Sequence, residues 1–255
     1  MTMLPKEKQR SDVSLDDVYK TLRQEILTLK LRPGEALTEQ GVAARFHMSR
    51  TPVRSAFTML GHDGLVDLQG RHGTFVSLID VDHAAQIIYL RILVEAASMK
   101  YIARNPDFLL FANLENNLAE QDKVIREEGT DEAFFKVDSK FHEMCAQSAN
   151  KLDVWMMLHN LDVHYRRYRL LDYFAGRPTN ILRTLQQEHA QLYTAMRERR
   201  AQDLDYLLTS HLYGGIIRSS SLINGAFKDY LVTGRRGMDE ITRDIRLQLN
   251  EFAPK

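Results

Sequence analysis

The sequence predicts a mostly α-helical chain in two parts: three short helices closed by a β-hairpin, then a bundle made of helices alone. Three observations predict it. Apolar residues recur at three- and four-residue spacing along most of the chain, the repeat of helices with one buried face. Two β-type runs, Leu65–Leu68 and Thr74–Val76, stand side by side around the polar turn Gln69–Gly73, and no strand signal follows them. At 255 residues, 44% of them hydrophobic, the chain is long enough for two domains and rich enough in apolar residues to bury a core in each.

Residues 1–14 are polar with mixed charge and are expected to be disordered. Between Val13 and Lys30, the stripe Val18, Leu22, Ile26 and Leu29 predicts a first helix, stopped at Arg32-Pro33-Gly34. Thr38 is placed to cap a second helix running to Phe46. After the tight turn His47-Met48, Ser49 or Thr51 caps a third helix with Pro52 in its first turn, where the missing N–H costs nothing. Its buried stripe is Val53, Ala56, Phe57 and Leu60, and Asp63-Gly64 ends it. Helix, helix, tight turn, helix, hairpin is the order of a winged helix-turn-helix, assigned to residues 15–76. A short linker, 77–82, leads to an all-helical domain over 83–224. Its helices are expected near 82–104, 107–128, 131–148, 151–174, 179–199 and 202–224, with breaks at Pro106, Gly129, Asn150, Gly176-Arg177-Pro178 and Ala201. Residues 225–255 form a C-terminal extension with one helix, Met238 to Phe252, placing Ile241, Ile245, Leu249 and Phe252 on one side.

Thirty-four basic and 34 acidic residues cancel, so any nucleic-acid binding must come from a local patch. A single cysteine, Cys145, excludes an internal disulfide and a cysteine-rich zinc site, and fits a reducing compartment. The longest apolar region, Ala84–Ala97, is broken by Arg91 and Glu95 and is too short for a membrane span, and the N-terminus lacks the apolar core of a signal peptide. The expected location is the cytoplasm, with no membrane association.

The local patch lies at the third helix. Arg50 stands at its start and Arg54 one turn later on the same face, opposite the buried stripe, so one helix can pack and read at once. An arginine fork matches O6 and N7 of guanine, and the short hydroxyls of Ser49 and Thr51 suit phosphates. Arg45 lies just before the turn, and Arg71, His72 and Gly73 make a basic wing tip suited to the backbone or minor groove.

In the second domain, four ligating groups fall on apolar stripes of three helices. Asp138 and His142 are four apart on the side that carries Phe134, Phe141 and Cys145. His189 lies with Leu185, Leu192 and Met196, and His211 with Leu204, Leu208 and Gly215. Burying one histidine is common; burying four such groups is costly unless they pair with each other or a metal. Three nitrogens and one oxygen suit a divalent ion such as Zn²⁺ or Ni²⁺. Arg91, in a stripe with Ile88, Glu95 and Ile102, carries a planar fork that could clamp a carboxylate bidentately, with a surface Arg91–Glu95 pair as the plain alternative. Tyr165, Arg166, Arg167 and Arg169 form a second basic cluster; most of it reads as a solvated face, with Tyr165 and Arg169 as candidates to face a pocket. His159 and His164, near Asp162, are rival metal ligands, but their spacing of five puts them on different faces.

The runs Arg32-Pro33-Gly34-Glu35, Leu37-Thr38-Glu39, Ser49-Arg50-Thr51-Pro52-Val53-Arg54, Leu60–Val66 and Gly70–Val76 resemble the GntR family of bacterial transcription regulators in order and spacing. Arg91–Glu95, Asp138–His142, Asn150, Glu188-His189 and His211-Leu212 resemble the FCD effector domain of that family's FadR-type branch. The resemblance implies a homodimer reading a pseudo-palindromic operator in double-stranded DNA, with Arg50 and Arg54 as readers beside Ser49, Thr51 and the wing. It also implies a metal held by Asp138, His142, His189 and His211 that helps bind a small carboxylate. Gln40 departs from the pattern, standing where some fatty-acid-responsive relatives carry a DNA-contacting arginine. The expected function is a non-enzymatic, ligand-responsive regulator, a repressor released by an organic acid. The alternatives are a metal-dependent hydrolase and a constitutive DNA-binding protein whose bundle only dimerises.

Overall fold

The computed structural model describes residues 13–127, 129–175, 178–234 and 236–253. The segment expected to be disordered, 1–14, lies outside the described residues up to residue 12. Ser14 is ordered as a cap: its hydroxyl accepts from Asp17 N–H while the Asp17 carboxylate accepts from Ser14 N–H, a reciprocal capping box. The chain forms two compact units, one ending at Ser77 and one beginning at Leu78.

In the first unit, α1 (Leu15–Leu27), α2 (Glu39–Arg45) and α3 (Arg50–His62) enclose a core of Val18, Leu22, Ile26, Val53, Ala56, Phe57 and Leu60, all nearly inaccessible. Each of these side chains larger than Ala56 contributes about 1.5–3 kcal/mol of hydrophobic stabilisation. Thr38 caps α2 by accepting from Gly41 N–H, as expected. The hairpin is β2 (Val66–Leu68) and β3 (Thr74–Val76), with Asp67 opposite Phe75. A further strand missed in the sequence, β1 (Ala36–Leu37), pairs antiparallel with the other edge of β3 and makes the sheet three-stranded. Two residues are too few to show an alternating pattern, so β1 left no periodic signal.

The second unit is built around α4 (Val81–Arg104), which packs against α6 (Asp131–Ser148), α7 (Leu152–Leu161), α8 (Val163–Ala175), α9 (Pro178–Arg197) and α10 (Leu204–Ala226), while α5 (Phe108–Arg126) lies on α6 and α9. Two expectations need correction. The helix expected over 151–174 is two helices, α7 and α8, divided at Asp162, whose buried side chain sits at the break. Strands also recur after the wing: β4 (Ile79–Asp80), within the stretch read as a linker, pairs in parallel with β5 (Leu231–Val232). A pairing between segments so far apart leaves no local trace. The final helix, α11 (Met238–Phe252), has the expected bounds and packs on α10 and α4, burying Ile241 and Ile245. Among the described residues, no helix is long and apolar enough to cross a membrane.

Candidate DNA interface and candidate metal centre

The turn between α2 and α3 passes through His47 in the left-handed region, at φ 53°. It sets α3 with its apolar stripe inward and Arg50, Thr51, Arg54 and Ser55 outward. Ser49 occupies the N-cap but makes no side-chain capping bond, so its hydroxyl is available beside the helix's first N–H groups. Arg54 is exposed and lies in a bidentate pair with Glu39 at the start of α2, at 2.7 and 2.9 Å. Arg45 turns back to Glu25 on α1 at 2.7 Å, with its guanidinium over the Phe46 ring. Arg45 and Arg54 therefore each have a carboxylate within their own unit, whereas Arg50 has no ion pair among the described residues. Arg71 and His72 are exposed in a 3-10 turn at the wing tip, closed by Gly73 at φ 107°, a conformation essentially reserved for glycine.

In the second unit, Asp138 and His142 on α6, His189 on α9 and His211 on α10 are all buried, and one ligand atom from each lies within 4.8 Å of the others. The three Nε2 atoms form a nearly equilateral triangle with edges of 3.2–3.3 Å. Asp138 Oδ1 lies 3.6 Å from His189 Nε2.

The outer nitrogens explain why the Nε2 atoms face inward. Asn117 donates its amide to the Val137 carbonyl, Gln121 donates its amide to Asn117 Oδ1 at 2.7 Å, and Gln121 Oε1 is thereby turned toward His189 Nδ1 at 2.9 Å. A carbonyl at the head of this chain can only accept, so each amide orientation follows, and His189 must carry its proton on Nδ1. His211 Nδ1 lies 2.9 Å from Glu188 Oε2, and Glu188 in turn accepts from Arg218. His142 Nδ1 lies 2.7 Å from Glu95 Oε2, close but outside the geometry of a hydrogen bond. With the outer nitrogens protonated, three Nε2 lone pairs point at one another in a buried space. Burial and the neighbouring His211 push His189 well below the ordinary imidazole range, and burial likewise lowers His211, so neither resolves the conflict by protonation. A cation does resolve it. The edges match the roughly 3.3 Å expected between nitrogens around a tetrahedral ion with bonds of about 2.0–2.1 Å, and ligating histidines characteristically hand their second N–H to an acceptor. The residues present fit a divalent ion.

Two arginines border this cluster, Arg91 buried and Arg169 half-buried. Arg169 makes a bidentate pair with Asp138, at 2.8 and 3.0 Å. Burial alone would raise Asp138, but Arg169 and His189 outweigh it and hold its carboxyl well below the usual carboxylate range. Arg91 donates through Nε to Glu95 Oε1 at 2.7 Å, and both side chains are buried, so the surface-pair alternative for Arg91 is wrong. Burial opposes ionisation of Glu95 too, but Arg91 and His142 bring it down to about 2. The Tyr165 ring lies under both guanidiniums, 5.3 Å from Arg91 and 5.5 Å from Arg169, and its hydroxyl reaches the Leu212 carbonyl beside His211. Arg91, Tyr165 and Arg169 are thus brought together at the edge of the candidate metal cluster. The solvated face expected for the α8 arginines is also corrected: Arg167 is fully buried. The rival histidines do not converge, since His159 stacks on Trp155 in α7 and His164 accepts from Asp80 N–H. Sequence reasoning missed Asn117, Gln121 and the orienting roles of Glu95 and Glu188. The available signal was two amides four apart on the otherwise apolar stripe Leu110, Leu114, Ile125 of α5.

Comparison with known proteins matches residues 15–76 to the bacterial regulatory proteins of the gntR family and residues 86–214 to the FCD domain. The chain is 28% identical over 195 residues to the HTH-type transcriptional repressor RspR of Escherichia coli (strain K12), covering 76% of this chain and 84% of that one. It is 36% identical over 155 residues to an HTH-type transcriptional regulator in an unstable DNA locus of Streptomyces ambofaciens, covering 61% and 64% of the two chains. Among solved structures, E. coli McbR/YncC shares the fold with a TM-score of 0.64 at 19% identity, over 83% of this chain and 97% of that one. Helix-turn-helix, wing and helical second unit agree with both family matches, and the chain belongs to the GntR family of bacterial DNA-binding transcription regulators, with an FCD domain as its second unit.

Proposed function

We propose that the protein is a repressor whose hold on DNA is released when a small carboxylate binds in the FCD domain. It works as a cytoplasmic homodimer on a pseudo-palindromic operator. The observation that carries this reading is the pair of arginines, Arg91 buried and Arg169 half-buried, beside the Asp138/His142/His189/His211 cluster. A buried guanidinium is retained at high desolvation cost, and a forked donor fits a carboxylate. A divalent ion, Zn²⁺ or Ni²⁺, would be held by those four residues and would supply positive charge beside the ligand. Arg91 takes the carboxylate, Arg169 keeps Asp138 ionised and oriented, and Tyr165 spaces the two cations. Occupancy favours one arrangement of the unit over another, and that differential affinity is what operator binding reads.

On DNA, Arg50 and Arg54 face the major groove, Ser49 and Thr51 take phosphates, Arg45 braces the motif, and Arg71, His72 and Gly73 form the wing contact. Arg54 exchanges its exposed pair with Glu39 for DNA at small cost, because such pairs contribute at most about 1 kcal/mol. An enzymatic reading of the same cluster needs a general base beside the ion, and Glu188 and Glu95 are both engaged on ligand histidines. The test is a thermal-shift screen of small carboxylates with Zn²⁺ or with chelator, followed by operator binding by fluorescence anisotropy. A carboxylate that stabilises the protein only with metal and weakens operator binding supports the proposal; stabilisation with no change in operator affinity overturns it.

A further inference from the structure

The FCD match ends at residue 214, yet the chain continues through β5 and α11. This extension grips the short stretch by which the chain leaves the first unit. Ile79 pairs in parallel with Leu231, and Asp80 with Val232. Two residues on each side are far below what an isolated strand pair needs to persist, so the pairing depends on its anchors. Arg236 supplies one, with ion pairs to Asp82 in the first turn of α4 and to Asp244 on α11. Ile241 and Ile245 supply another, fully buried where α11 packs on α10 and α4. The Tyr213 hydroxyl of α10 bonds both the Ala85 carbonyl of α4 and Gln248 of α11.

A second grip comes from α8. His164 Nδ1 accepts the Asp80 N–H at 3.0 Å and lies 3.1 Å from Arg167 Nη2. Both are on the helix that carries Tyr165 and Arg169, and Arg169 is joined to Asp138 in the metal cluster. One rigid helix therefore touches the candidate effector site on one side and the backbone of the connector on the other.

We propose that residues 228–252 are a clasp that immobilises the connector at 78–82 against α4 and α8, so that displacement of α8 is passed into the chain leading to the DNA-binding unit. This rests on the ligand-responsive reading above. Without the clasp, the connector would be a few residues of free chain and would absorb such a displacement.

The test uses the full chain as wild type, Arg236→Gln, Asp82→Asn and the conservative Arg236→Lys. Amide exchange is followed in peptides covering 78–83, with α6 and α9 peptides as a check that the bundle is intact. DNA affinity is measured in Zn²⁺ and in chelator, on the site that the wild type selects from a random pool. The expected result is at least ten-fold faster connector exchange in Arg236→Gln and Asp82→Asn. The Zn²⁺-to-chelator affinity ratio falls toward one in both, and Arg236→Lys recovers part of each effect. Unchanged connector exchange in both variants overturns the clasp. Faster exchange with a wild-type affinity ratio overturns its role as a relay. A wild-type ratio of one overturns the relay of metal occupancy, leaving the ligand-responsive reading to the carboxylate screen above, while exchange still decides whether the clasp exists.

Discussion

Replacing Gln121 by Leu separates the two jobs that this buried amide performs. Its Nε2 donates to Asn117 Oδ1 at 2.7 Å, and its Oε1 accepts from His189 Nδ1 at 2.9 Å. Leucine fills nearly the same space and can do neither. His189 then loses the acceptor that fixes its tautomer and ring orientation. Loss of such an outer partner lowers metal affinity by about 10–100-fold, or about 1.4–2.7 kcal/mol. Asn117 Oδ1 is left without its donor in a buried position, so the metal-free protein should also lose about 1–3 kcal/mol of stability. Zn²⁺ affinity is measured by competition with a chromophoric chelator near neutral pH, and metal-free stability by urea unfolding. Gln121→Glu is the companion variant: it keeps an acceptor for His189 and should bind Zn²⁺ more tightly than Gln121→Leu does. If Gln121→Leu binds Zn²⁺ as tightly as wild type while its metal-free stability falls, the orienting chain has no bearing on the metal and the reasoning is refuted.

Three further outcomes are expected. Arg54→Ala should change stability by less than about 1 kcal/mol, since its pair with Glu39 is exposed, yet weaken operator binding by about 1–3 kcal/mol if the fork reads a base; equal affinities for wild type and variant in an anisotropy titration would remove Arg54 from the interface. His164 is held neutral, its pKa pushed down to about 3 by burial and by Arg167 and His83; the unfolded chain, with an ordinary value near 6.5, binds the extra proton, so this contribution is intact above about pH 6.5 and erodes as pH falls toward 3, by about 2 kcal/mol at pH 5. His164→Asn should flatten that part of the urea-midpoint profile, and superimposable profiles would refute the assignment. Gly73→Val places a β-branched residue at φ 107°, where an added Cβ meets the Phe75 ring only at ordinary contact distance, so backbone strain should dominate a cost of about 1–3 kcal/mol; DNA affinity should fall while Zn²⁺ affinity stays at the wild-type value, and a loss of both would show a global defect.

The legible parts of this protein share one property: their signals are local. The stripes Val18–Leu22–Ile26 and Val53–Ala56–Phe57–Leu60 are written at helical spacing, and each is buried as its spacing required. Asp138 and His142 were readable as a pair because four residues on a helix is a spatial distance as well as a sequence distance. His189 and His211 were readable because a polar group on an apolar stripe must find a partner indoors.

What stayed hidden depends on contacts between distant segments. A stripe can say that Arg91 faces inward, yet whether Glu95 joins it there or both reach water depends on the helices packed over them. Arg166, Arg167 and Arg169 look alike in sequence, but only the placement of α6 and α4 around α8 makes Arg169 the partner of Asp138 and buries Arg167 completely. The carboxylates that meet Arg45 and Arg54 come from α1 and α2, 20 and 15 residues away. The pairing of Ile79 with Leu231 joins segments whose separation no periodicity can bridge. The sequence by itself determined most of the helices, the wing, the inward faces and the four groups of the buried cluster, because side-chain direction repeats with the backbone. Only the tertiary structure decided which acceptor each histidine meets, which arginines are buried, and what holds the connector, because those depend on which faces the packed helices bring together.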